Sequence, residues 1–138
     1  LETAQQELLC RDGSHLTRPP SYDPTLFLEL AEQLVKDIHY EEMGRSRTAT
    51  GRAYYAAFLM VKKKLEELGC SFVDADRIHQ EVIDIANERN SMIGGKLDTL
   101  RGYRVDADYY MDKRVDRTIA GKCSRISQMI LNMLDQLK

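Results

Sequence analysis

No run of apolar residues in this chain approaches the roughly 20 needed to cross a bilayer as a helix. No secretory leader is recognisable either. The chain opens on Leu1 rather than methionine, so residues upstream of it are expected and the missing leader carries less weight. Cysteine is scarce. Cys10, Cys70 and Cys123 are too few and too widely spaced for a disulfide framework or a zinc site. Free thiols fit a reducing compartment, and we expect a cytoplasmic protein. The formal charge of −2 excludes an overall basic field that would draw the chain to nucleic acid or membrane, but leaves room for a local basic patch. The alternation of a strand, a repeat of solenoid length and a low-complexity tract are all missing. So are a phosphate-binding glycine loop, a nucleophile elbow and a zinc-protease motif.

What remains is a chain of 138 residues with 43% apolar and 30% charged side chains, ordinary for one globular domain with its own core. Residues 1–22 read as a leader or linker: Arg11-Asp12-Gly13-Ser14 forms a turn, Pro19-Pro20 cannot sit inside a helix, and Leu8 and Leu9 either pack on the domain or belong to the linker. Residues 23–138 read as the domain. Asp23 caps and Pro24 opens a helix over 24–42, with an apolar face of Leu26, Phe27, Leu30, Ala31, Leu34, Val35 and Ile38 and a stop at Gly44. A second helix spans 46–68, with Ala53, Tyr54, Ala57, Phe58, Val61, Leu65 and Leu68 as its stripe and Gly69 as its stop. Gly51 inside it predicts the close approach of another backbone. A third helix follows Asp74 or Asp76 over 76–92, carrying Ile78, Val82, Ile85 and Ala86. Gly94-Gly95 interrupts the pattern, a short helix holds Leu97 and Leu100, and 101–112 reads as a structured connection. The last helix, 112–137, repeats Val115, Ile119, Cys123, Ile126, Ile130, Met133 and Leu137. The expected fold is all-α, an antiparallel bundle of four or five helices.

Two strings could carry chemistry. In Arg52-Ala53-Tyr54-Tyr55-Ala56-Ala57-Phe58 the adjacent tyrosines point about 100° apart on a helix, so one packs while the other reaches a pocket or partner. The plainer reading is a tight helix seam edged by tyrosines. Arg101-Gly102-Tyr103-Arg104-Val105-Asp106-Ala107-Asp108-Tyr109-Tyr110 gathers guanidiniums that can bind phosphate, carboxylates that can pair with them, and tyrosines that can stack on a base. It reads equally as an ion-pair network pinning a connection. His79 is a candidate acid or base, or simply a surface histidine. Asp74 and Asp76 explain themselves as caps rather than metal ligands, and Lys62-Lys63-Lys64 as a solvated face.

Arg52-Ala53-Tyr54-Tyr55-Ala56, His79 opening the next helix, and Arg104-x-x-Ala107-Asp108-Tyr109 together resemble the small prokaryotic HEPN-domain proteins, over roughly residues 24–138. The resemblance implies a dimeric helical bundle without cofactor or metal. It further implies a toxin–antitoxin, defence or RNA-processing setting, with a nucleotidyltransferase as antitoxin partner in some members. Ribonuclease members carry an arginine, a polar residue, and a histidine about four to six residues after the arginine. Here Arg89-Asn90 matches the first half, but Gly94, Gly95 and Lys96 fill the window of the histidine. No imidazole is then available there to move the 2′-hydroxyl proton of RNA.

Two readings follow. In the first, the chain is a nucleotide- or RNA-binding module whose binding residues are Arg52, Tyr55, Arg89, Asn90, Arg104 and Asp108. His79 and Arg104 are the candidate catalytic residues of a metal-independent endoribonuclease. The arginines hold phosphate, Tyr55 stacks or donates a hydrogen bond, His79 is the acid–base, and Asp108 orients an arginine. In the second, the same residues are a structural network in a non-catalytic dimerisation and partner-binding module. A homodimer is expected on either reading. The second helix carries extra apolar surface at Tyr55, Ala56, Leu59 and Met60, which predicts a two-fold contact there.

Overall fold

The structure, a computed structural model, describes residues 21–138. The expected turn at 11–14, Leu8, Leu9 and Cys10 lie outside the described residues. The described residues are all-helical, with five α-helices and no strand: α1 Thr25–Lys36, α2 Glu42–Glu67, α3 Ile78–Arg89, α4 Ser91–Tyr109 and α5 Arg117–Met133, then a 3₁₀ turn at Leu134–Gln136. None of these helices is long and apolar enough to cross a membrane.

α2 is the central helix, with α1, α3, α4 and α5 all packed on it. Its stripe is dense with small residues. Ala49, Ala53, Ala56 and Ala57 are fully buried and let the neighbouring helices close in around Tyr54, Val61 and Leu65. α1 runs antiparallel to α2, since Phe27 meets Arg52 while Leu34 and Val35 meet Arg45. α4 is also antiparallel to α2, with Arg47 at the end of α4 and Tyr55 beside Arg104. The connection after α2 returns along it, so that His79 in the first turn of α3 lies against Tyr54 and Phe58.

Several boundaries differ from the sequence reading: the third helix spans Ile78–Arg89 rather than 76–92, and the last spans Arg117–Met133 rather than 112–137, leaving Val115 and Leu137 outside it. The first helix ends at Lys36, not at 42. Glu41 starts α2 instead: its carboxylate accepts from the N–H groups of Met43 and Gly44, both at 2.6 Å. Gly44 therefore sits in the first turn of α2 rather than ending α1. The buried side of α1 is Phe27, Leu28, Ala31, Leu34 and Val35, whereas Leu26 and Leu30 face outward and Ile38 is 86% exposed. Leu68 likewise turns outward.

The larger correction is α4. Residues 101–109 are helix, not a connection, and Gly94-Gly95 lies inside it. Its start is set by Asn90, whose side-chain oxygen accepts from Met92 and Ile93 N–H at 3.1 Å. The buried stripe runs Ile93, Leu97, Leu100, then Arg104, then Ala107. An arginine and an alanine replace the expected large apolar residues, so the stripe fades from the sequence although the helix continues. α3 and α4 form a tight helical hairpin, in which a Cβ built on Gly94 would lie 2.4 Å from the Asn87 Cα. The close backbone approach is therefore at Gly94 rather than Gly51, where a Cβ would meet only the Asp108 carboxylate, at 3.8 Å.

The surplus apolar face of α2 is not surplus within one protomer. Ala56 is fully buried, Tyr55 and Leu59 pack against the core, and Met60 is half-buried beside Leu134.

Candidate functional site

The helical order brings Arg52 and Tyr55 of α2, His79 of α3, and Arg101, Arg104 and Asp108 of α4 together at one side of the bundle. Tyr54 points inward and is fully buried, and its neighbour Tyr55, one residue on, is half-buried. Tyr54 stacks with Phe58 and with His79, at ring-centre distances of 5.6 and 5.7 Å. Phe58 and His79 stack at 4.3 Å. Tyr55 stands edge-on to this stack, 5.9 Å from His79.

Guanidiniums surround Tyr55. Arg52 lies 5.0 Å from its ring centre and also 4.9 Å from that of Phe27. Arg104 lies 5.3 Å from Tyr55 and 5.5 Å from Tyr109. Guanidinium–ring contacts hold the cation by the negative face of the ring without neutralising it. Asp108 stands one turn after Arg104, with its Oδ2 2.9 Å from Nε. The alignment is off that of a hydrogen bond, so charge holds the pair while the buried Nε–H has no hydrogen-bond acceptor. Arg101 donates to Gln80 at 2.8 Å, tying the start of α3 to α4. Among the described residues, neither Arg52 nor Arg101 forms an ion pair with a carboxylate.

The state of His79 follows from its partner. Tyr54 Oη and His79 Nδ1 are 2.6 Å apart. Burial pushes the Tyr54 phenol well above its ordinary value, so it keeps its proton. A buried phenol O–H needs an acceptor, and Nδ1 is the one within reach. The imidazole hydrogen therefore resides on Nε2, an assignment made from the hydrogen-bond network. Burial, then the charges of Arg101 and Arg104, hold the histidine below its usual pKa and favour the neutral ring. His79 Nε2–H, which has no hydrogen-bond partner among the described residues, is thus a donor beside a group of guanidinium donors. In this tautomer the lone pair of His79 is taken up by the Tyr54 hydroxyl.

Arg89 and Asn90 are elsewhere. Arg89 is exposed at the last turn of α3, and ten residues of helix at 1.5 Å each put it about 15 Å along the axis from His79. The side-chain oxygen of Asn90 is occupied by its cap. Among the described residues no group of three or more His, Cys, Asp or Glu is placed to hold a metal. Asp74 accepts from the Asp76 N–H as part of a turn. Burial raises the Cys123 thiol to about 11, which leaves it inert as a nucleophile at neutral pH.

Sequence reasoning includes Tyr54 and Arg101 in its two strings without choosing them as site residues, and passes over Arg47. The spacing of Arg101 and Arg104 would have put both on one helical face had 101–109 been read as helix. No local signal links Tyr54 to His79. Arg47 reaches over to the end of α4, donating to the carbonyls of Ala107 at 2.9 Å and Lys113 at 2.6 Å. No family model, curated protein or solved structure matches this chain.

Proposed function

We propose that this chain is a HEPN-like module that binds the phosphate groups of RNA or of a nucleotide and does not cleave them. Arg52, Arg101 and Arg104 supply the guanidinium donors, Asp108 orients Arg104, and His79 adds its Nε2–H. Arg89 and Asn90 stand outside this surface. The observation that carries the reading is the pair of guanidiniums, Arg52 and Arg104, held on the one Tyr55 ring beside a neutral imidazole. Planar guanidiniums suit phosphate because they donate two parallel hydrogen bonds. Arg52 is held on the ring with no carboxylate partner among the described residues, which keeps its charge available to an anion, while Arg104 shares its charge with Asp108. Strand cleavage needs a group that accepts the 2′-hydroxyl proton, and an imidazole whose Nδ1 serves Tyr54 has none to offer. The family resemblance adds a setting: a toxin–antitoxin or defence system, in the cytoplasm, with a nucleotidyltransferase as partner.

The test is a fluorescence-anisotropy titration with labelled single-stranded RNA and with a labelled mononucleotide. Binding should weaken steeply with salt, and Arg52→Ala or Arg104→Ala should lower the salt slope by about 1 each. The RNA should remain intact on a gel. Absence of binding to both probes at low salt rules the reading out. Robust cleavage rules out its non-catalytic half.

A second reading, a dimerisation and partner-binding module, is favoured by one observation. Leu26 and Leu30, a turn apart on α1, are 43% and 46% exposed. Such a pair on an outer helix face suits contact with a second copy.

A further inference from the structure

The end of α4 carries an exposed run that phosphate binding does not use. Tyr109 is 65% exposed, Tyr110 50% and Met111 70%. Three large apolar side chains in succession exceed the scattered exposure that any surface shows. They are not on a loosely hung loop. The half-buried Arg47 donates to the carbonyls of Asp106, Ala107, Tyr110, Met111 and Lys113, at 2.6–3.4 Å, and so fixes the backbone on both sides of the tyrosines. Its charge also covers the carbonyl end of α4, which would otherwise repel an anion.

Tyr55 is poorly placed to stack on a base. It is half-buried, with two guanidiniums over its ring and Tyr54, Phe58 and His79 at ring contact. Tyr109 is the opposite case. Arg104 packs against its ring, and the greater part of the side chain is open to solvent. Arg104 thus lies between Tyr55 and Tyr109, one ring inside and one outside.

We infer that Tyr109 is the stacking platform for an unpaired nucleobase whose phosphate is held by Arg104 and Arg52. The inference rests on the phosphate-binding reading and narrows its ligand to a nucleotide unit with a free base face, from a single strand or a free nucleotide. Arg104 then serves both halves, with its N–H groups on phosphate and its flat face against the ring that carries the base.

The chain has no tryptophan, so Tyr109→Trp introduces a single indole whose fluorescence reports stacking directly. Four probes are titrated: single-stranded RNA, a mononucleotide, an abasic ribose-phosphate oligomer, and inorganic pyrophosphate. Quenching is expected with base-bearing probes and not with the abasic oligomer or pyrophosphate. Quenching by both RNA and mononucleotide identifies the general unit, and quenching by RNA alone identifies a strand. Tyr109→Ala should weaken RNA binding by about 5-fold to 100-fold while leaving the abasic oligomer unaffected. Equal weakening of RNA and abasic oligomer would mean that Tyr109 only positions Arg104, and the stacking role falls. Unchanged RNA affinity in Tyr109→Ala, alongside a loss in Arg52→Ala, overturns stacking and leaves phosphate binding standing. Failure of the unmodified protein to bind any probe overturns both. Far-UV circular dichroism of each variant confirms the fold, which an exposed side chain should not disturb.

Discussion

His79 shows how a neighbour settles what a side chain can do. In the sequence it is a lone histidine with general acid–base chemistry open to it. In the fold its Nδ1 faces a buried phenol and its ring is stacked on Phe58. The groups facing it are Tyr54, Tyr55 and Phe58 from α2 and Arg101 and Arg104 from α4, with no carboxylate paired to it among the described residues. Its pKa is depressed below 6.5, chiefly by burial. The unfolded chain therefore takes up this proton before the folded one does. The neutral ring's contribution to stability is fully present above that value and is lost as pH falls below it toward the folded pKa. Urea midpoints from pH 8 to pH 5 should accordingly fall more for the wild type than for His79→Gln. Parallel curves for the two proteins would mean that His79 titrates as a free histidine. The candidate residues Arg52, Tyr55, His79, Arg104 and Asp108 could be picked from the sequence because their types are unusual together. Their relations could not, because Tyr54 and His79 meet across 25 positions and no local pattern encodes that.

At the scale of the element, two arginines near the start of α2 organise the ends of other helices. Arg45 donates to the carbonyls of Leu34 and Val35 at the end of α1, and Arg47 does the same at the end of α4. These are the orphan acceptors that every helix leaves at its C-terminus. Glycines mark the other constraint. Gly94 touches α3 so closely that Gly94→Ala should destabilise the protein by about 1–3 kcal/mol through overpacking. Gly95, with open space around it, should tolerate alanine and gain about 0.5–1 kcal/mol in helix propensity. Thermal or urea unfolding of the two variants should move in opposite directions, and equal effects would contradict the tight hairpin. Helices with a continuous apolar stripe, such as α2 and α5, were legible from spacing. α4 was not, because Arg104 and Ala107 occupy its buried side and Gly94-Gly95 imitates a break. The end of α1 was misread because Ile38 extends its apolar spacing past the last helical turn, and only the Glu41 cap marks the true start of α2.

At the scale of the whole molecule, the all-helical fold follows from composition and periodicity, whereas the contact face of any dimer does not. Ala56 is buried and Tyr55 and Leu59 pack against the core of the protomer, and the exposed pair Leu26 and Leu30 on α1 is a candidate contact face. Light scattering should find a dimer that Leu30→Glu converts to monomer without unfolding, and a wild-type monomer would remove the second reading. The central claim is that a protein of net charge −2 holds phosphate through a local guanidinium group that its overall charge conceals. The most direct measurement is the affinity of purified protein for single-stranded RNA at low and moderate salt, compared with Arg52→Ala/Arg104→Ala. The account predicts salt-sensitive binding by the wild type, nearly abolished in the double variant, with both proteins folded. Equal affinity of the two proteins, or no binding by either, would contradict it.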